Sequence, residues 1–332
     1  TFVARRPDRS GGQRAGCELP HSAVMSAWFK PSIGYASVEQ VEAARRELAP
    51  LLASTRPVPA EVAVTWSDHA RVMLQTEPIG ASTGQHVTDY RATIDAWHGR
   101  MIDVGLHRDV RFEGAAIDDL KLLVTPGMPY VSEAFLAKIE AWVRAGGTWI
   151  CGPLTGMRTA EHGVSTEAAL GAVEALAGVE TVFAWPVTGR ETSVEAFGET
   201  AELAGWCHAL RPATGETKVV GALTSAEAAH GGDLAVITER ALGAGRVVVL
   251  SAEPVGEAGG RLQKALLEHY VKVAGVQTIG QPTAGTIVVP RRNPEDGFTT
   301  WIAVNLDGRG GVIQGPAGPL AVDPYGWRVV GG

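Results

Sequence analysis

The segment Leu120–Gly156, LKLLVTPGMPYVSEAFLAKIEAWVRAGGTWICGPLTG, decides the fold class. Leu120–Thr125 is an apolar run of strand length that stops at Pro126-Gly127. Phe135, Leu136, Ile139, Trp142 and Val143 then recur at helical spacing, so Ser132–Ala145 reads as a helix with Gly146-Gly147 beyond its end. Thr148–Cys151 is a second apolar strand. Fully apolar strands joined by an amphipathic helix predict a parallel sheet covered on both faces, an α/β fold of flavodoxin-like type.

The same texture extends outward. Val62–Trp66 reads as a strand and Thr88–Met101 as a helix with Tyr90, Ile94, Trp97 and Met101 on one face. Further along come a helix near Glu167–Ala177, strands at Thr181–Trp185 and Val219–Leu223, a hairpin-like pair Asp233–Thr238 and Arg246–Ser251, and a helix Arg261–Ala274. No assignment is made between Glu195 and Glu216. Upstream, Ser37–Ser54 is a helix opened by a capping-box pattern at Ser37 and Gln40, and the stiff RPVPAE (Arg56–Glu61) after it marks a boundary. Beyond Gly275, short strands at Thr286–Val289 and Thr300–Leu306 and the turn-rich GRGGVIQGPAGPLAVDPYGW predict a small antiparallel β domain.

The chain has 332 residues, enough for about two domains, and its apolar and charged shares are those of a folded protein. A net charge of −7 supplies no basic field for nucleic acid, and no apolar run approaches the ~20 residues that span a bilayer. The basic N-terminus, TFVARRPDRSGGQR, lacks the apolar core of a secretory signal, so the expected location is cytoplasmic. It begins without methionine or periodicity and reads as a cut edge. Cys17, Cys151 and Cys207 are too few and too scattered for a disulfide framework and read as reduced thiols.

Two constellations could carry chemistry. Cys17-Glu18-x-x-His21 has metal-ligand residue types, but no second cluster completes a shell; the alternative is a loop in which Glu18 and His21 satisfy each other. Cys151, at the end of a parallel strand before Gly152, occupies the place where such folds put a nucleophile. A thiol nucleophile needs a base, and Leu250–Pro254, the segment positioned to supply one, has no histidine, which favours a structural cysteine. His69, His86, His98, His162, His208 and His230 read as surface residues, and GAGR and GRGG as turns.

In order, these pieces resemble the C-terminal half of glycoside hydrolase family 42 β-galactosidases. The resemblance rests on QRAGCELPHSAVMS (Gln13–Ser26), GYASVEQVEAARRELAPLLASTRPVPAEVAV (Gly34–Val64), the opening segment, ALGAGRVVVLSAEP (Ala241–Pro254), and IVVPRR with WIAVNL in the tail. It implies three parts: residues 1–58 as the end of a (β/α)8 barrel, 59–278 as an amidotransferase-like trimerisation domain, and 279–332 as a small β domain. It further implies that Glu18 and His21 contact galactose hydroxyls, that the parent reaction is retaining hydrolysis of terminal β-D-galactosides without cofactor or metal, and that the assembly is a homotrimer. The family's acid/base is a glutamate directly after an asparagine; here asparagine occurs only at Asn293 and Asn305, before Pro294 and Leu306. The stretch holding the nucleophile has no counterpart either, so the expectation is a chain inactive alone that supplies trimer contacts and part of a pocket. Two other readings stand beside it: a free-standing assembly module, and a thiol enzyme built on Cys151. In isolation, the helix face Val41/Leu48/Leu52 is expected to stay exposed.

Overall fold

The computed structural model describes residues 30–31, 34–76, 89–187, 192–224, 234–279, 283, 285–315 and 318–331. The chain divides into two compact units, residues 1–58 with 291–299, and residues 59–290 with 300–332.

In the first unit, helix α1 (Tyr35–Ser54) is followed by the two-residue strand β1 (Arg56–Pro57). Arg56 and Pro57 pair antiparallel with Arg292 and Arg291. The Arg291 guanidinium donates to Thr55 Oγ1 at 2.8 Å and to the Leu52 carbonyl at 3.3 Å, the second being an acceptor that the end of a helix leaves open. None of the helix residues is buried; of the face expected to be exposed, Val41 and Leu52 are, as is Val38, while Leu48 is half-buried.

The second unit begins with β2 (Val62–Trp66), α2 (Asp68–Thr76), α3 (Tyr90–Asp103), β3 (Arg108–Phe112), β4 (Leu122–Thr125), α4 (Glu133–Arg144) and β5 (Thr148–Cys151). It continues with α5 (Ala172–Ala177), β6 (Val179–Val187), β7 (Ser193–Ala196), β8 (Glu199–Pro212), β9 (Thr217–Thr224), β10 (Ala235–Leu242), β11 (Gly245–Leu250), β12 (Glu253–Pro254) and α6 (Gly256–Val273). Helix α4 starts where the side chain of Ser132 accepts the Phe135 amide, and it buries Phe135, Ile139, Trp142 and Val143, as the spacing requires. The acidic N-cap Asp89 does the same for α3, whose buried residues are Tyr90, Ile94, Trp97 and Met101.

These strands form one mixed sheet. Its first half runs β3-β2-β4-β5-β11, all parallel. The parallel order ends at β10, which pairs antiparallel with β11 through the Leu242–Gly245 turn, in keeping with the hairpin-like pair expected there. From there β9, β7, β8 and β12 continue antiparallel. The reversal is forced by connection length, because a hairpin can join only antiparallel neighbours. Gly243 makes the turn with φ +61, and a Cβ there would meet the Arg144 backbone.

Strand β8 fills the stretch left unassigned from sequence. Its first residues pair with β7 and Gly205–Pro212 pair with β6. The helix expected over Glu167–Ala177 shortens to Ala172–Ala177, since Gly171 sits at φ +52 and approaches the Gly156 carbonyl.

The tail contributes β13 (Thr286–Arg292), β14 (Thr299–Asn305), β15 (Gly311–Gly315), β16 (Gly318–Val322) and β17 (Trp327–Gly331). Val288, Ala303, Ile313 and Val322 bury themselves together in a cluster separate from the main core. Among the described residues, no helix is long and apolar enough to cross a membrane.

Candidate functional site

Glu18 and His21, with Cys17, lie outside the described residues, as do His86 and His230. The chemistry that can be located is at the carboxyl ends of the parallel strands, where open α/β sheets leave a crevice. Here β4 ends at Thr125 and runs into Pro126-Gly127, while β5 ends at Cys151 and runs into Gly152-Pro153-Leu154. The two turns approach closely: a Cβ on Gly152 would sit 2.8 Å from Pro126 Cα, and one on Gly127 would sit 3.3 Å from the Pro153 carbonyl. Leu154 is held at φ +66, a conformation that costs a branched side chain about 1 kcal/mol or more.

Beneath this rim the polar groups are locked to each other. Trp149 Nε1 donates to Thr125 Oγ1 at 2.8 Å, and that hydroxyl lies 3.1 Å from Thr65 Oγ1. Tyr90 Oη accepts the Ser67 amide at 3.0 Å. Cys151 is buried among these residues, and burial pushes its thiol up to about 12. A thiol in that state supplies almost no thiolate at neutral pH, so the nucleophile reading is unsupported and Cys151 is a packing residue. Cys207 is likewise a buried free thiol pushed up to about 12 by desolvation.

The histidines divide. His69 packs its ring 5.3 Å from Tyr130 and 5.6 Å from His162. The half-buried His98 accepts from Arg108 Nε at 3.2 Å, and its pKa is lowered by desolvation and then by the Arg108 charge. His208 corrects the surface reading: it is 2 % exposed on β8, with Nδ1 lacking a partner among the described residues. Its pKa falls to about 4, chiefly through burial, so it is a neutral core residue. The sequence context could not show this, because β8 itself was unassigned. Among the described residues, no three His, Cys, Asp or Glu side chains gather as metal ligands would.

A cavity of about 150 Å³ opens at the same end of the sheet, between the Pro126-Gly127 and Pro153-Leu154 turns and β8 with β12. Glu253 of β12 lines it, accepting from Gln263 Nε2 at 2.8 Å through Oε1. Desolvation raises the Glu253 carboxyl to about 7, against a smaller lowering by Gln263. At the antiparallel end of the sheet, β6 is bonded, among the described residues, only to β8 and carries Phe183, 54 % exposed, stacked on Trp185 with centroids 5.4 Å apart.

The family profile described as the β-galactosidase trimerisation domain matches residues 60–277. The chain belongs to the glycoside hydrolase family 42 β-galactosidases. Over 96% of its length it is 40% identical to β-galactosidase YesZ of Bacillus licheniformis and, likewise, of Bacillus subtilis, in each case matching 48% of the relative. It therefore spans about half the length of these relatives. The fold agrees with solved structures at low identity. A β-galactosidase from Bacillus circulans sp. alkalophilus superposes with a TM-score of 0.79 at 15% identity, covering 98% of this chain and 48% of that one. A β-galactosidase from the haloarchaeon Halorubrum lacusprofundi gives 0.76 at 22%, covering 96% and 46%.

Proposed function

We propose that this chain is the C-terminal part of an enzyme that hydrolyses terminal β-D-galactosides with retention, and that it contributes assembly contacts and two sugar-contacting residues, Glu18 and His21. The observation that carries the reading is the family match over residues 60–277, with similarity to β-galactosidases continuing on both sides of it. A carboxylate and an imidazole on a barrel loop can each orient sugar hydroxyls, and barrel enzymes build their sites from such loops. In this reading residues 1–58 end a (β/α)8 barrel, 59–278 form the amidotransferase-like trimerisation domain and 279–332 a small β domain. The chemistry needs two carboxylates roughly 5–5.5 Å apart and neither cofactor nor metal. A cytoplasmic location belongs to the same reading, and the net charge of −7 supplies no basic field for nucleic acid.

The partner of the assembly is two further copies of the same chain. An edge strand with exposed aromatic side chains invites pairing unless covered, and VETVFAWPV of β6 has a single charge, Glu180. The same observation supports the second reading, an assembly module acting without the reaction.

Two experiments test this. The purified chain should leave a chromogenic β-galactoside intact. Fused behind the part of the Bacillus subtilis relative that it does not span, it should hydrolyse the substrate, with kcat/KM falling about 10- to 100-fold in Glu18→Ala, the range expected for a lost hydrogen bond to a charged group. Hydrolysis by the chain alone, or a fusion indifferent to Glu18→Ala, would overturn the reading. Sedimentation should give a trimer that dissociates in Phe183→Lys; a wild-type monomer at high concentration would remove the assembly role.

A further inference from the structure

The cavity at the carboxyl ends of β4 and β5 has a composition that specifies what it can hold. Its volume, about 150 Å³, matches the size of cavity that takes a single six-membered ring. Leu74, Pro153 and Leu154 supply apolar wall, and Trp206 is the one aromatic residue lining it among the described residues. Among the described residues no Lys, Arg or His lines it, so none of these would recognise a phosphate or carboxylate.

Two side chains give it polarity. Thr93 Oγ1 donates to the Asp89 carbonyl at 3.1 Å, which leaves its lone pairs free to accept. Glu253 uses Oε1 for Gln263, and Oε2 has no partner among the described residues. Burial raises this carboxyl to about 7, so at pH 7 its protonated form is present alongside the ionised one and can donate as well as accept. A wholly apolar ring would leave the Thr93 lone pairs and Glu253 Oε2 without a partner, at a cost that disfavours it.

We propose that this cavity binds one neutral monosaccharide ring, with Trp206 covering an apolar sugar face and Glu253 and Thr93 taking hydroxyls. It is a second carbohydrate site, argued from residues between 74 and 253 and counting neither Glu18 nor His21 among them. Choosing galactose as the probe rests on the proposed function; the chemical class rests on the cavity alone.

The test uses the full chain and ligand-observed NMR with titration calorimetry. Galactose should bind with a Kd of roughly 1–10 mM, in line with about 0.3 kcal/mol per non-hydrogen atom. Trp206→Ala and Glu253→Leu should each weaken it at least tenfold, while Trp206→Phe retains binding and shows that the fold tolerates change there. Galacturonate should bind more weakly than galactose. The double variant Glu18→Ala/His21→Ala should bind as the wild type does. No detectable galactose binding, binding of phenol in preference to galactose, or binding lost only in the double variant would each overturn the proposal. The fusion assay is indifferent to all three results, so the two readings fail separately.

Discussion

Replacing Glu253 by Gln should stabilise the protein at alkaline pH and not at acid pH. The carboxyl is raised from 4.5 to about 7, with desolvation the first cause. Below pH 4.5 it is protonated in both folded and unfolded chains, and its burial is least costly. Between 4.5 and 7 the unfolded chain releases the proton while the folded chain holds it, so stability falls as pH rises. Above 7 the loss is complete, and the interval corresponds to about 3 kcal/mol. Glutamine keeps an acceptor for Gln263 Nε2, now 2.8 Å from Oε1, and removes the ionisation. Urea unfolding followed by tryptophan fluorescence, in which the buried Trp97 and Trp149 of the main core report, gives the free energy at each pH. The expected gain is about 2–3 kcal/mol at pH 8 and less than about 0.5 at pH 4.5. Equal effects at the two pH values, or none at pH 8, would refute the burial of this carboxyl as the cause.

Other consequences follow from the same core. His208 has its pKa depressed to about 4, so its contribution is present above 6.5 and is lost as pH falls toward 4; His208→Leu should flatten that acid-side loss, which is worth about 3 kcal/mol. Cys151 and Cys207 should resist iodoacetamide at pH 8 at a rate no faster than unfolding, mapped by peptide mass, and prompt labelling of either would contradict their burial. Gly152→Ala forces a Cβ against Pro126 Cα and the Thr125 carbonyl, both backbone, and should cost about 2 kcal/mol or more in thermal unfolding. Gly146→Ala places its Cβ in open space but at φ +125, and should cost only the backbone term of about 1 kcal/mol.

What could be read from the residues depended on whether one partner or two shaped each segment. Helix α4 was legible because Ser132, its apolar stripe and the glycines after it all specify the same helix, and β2, β4 and β5 because burial on both faces leaves a continuous apolar run. Strand β8 was not, because its two ends answer to different neighbours: Ser193–Ala196 on one and Val179–Val187 on the other, with Gly205 at φ +73 between them. No single alternation survives that change of partner. Strand β3, whose burial is only intermediate to exposed, gave no apolar signal at all. For the site, Cys151 was placed correctly by its strand end and judged by the absence of a base. Glu18 and His21 came from family likeness, since three polar residues in five positions fit several chemistries. Glu253 drew no notice, because its character depends on Gln263 and on burial that the sequence does not display.

The order in which the sheet can close has its own consequence. The four strands β3, β2, β4 and β5 are complete once residue 151 has emerged, yet the neighbour of β5 is β11, beginning at Gly245. During synthesis at ~5–20 residues per second, the wholly buried strand Thr148–Cys151 presents an unpaired edge for about 5–20 seconds. Nothing in that edge carries a charge or a proline to discourage a wrong partner. Nascent chains crowded on one message should therefore cross-pair there first. Slowing translation between residues 152 and 245 should lower the soluble yield more than slowing it after residue 250, where the edge is already filled.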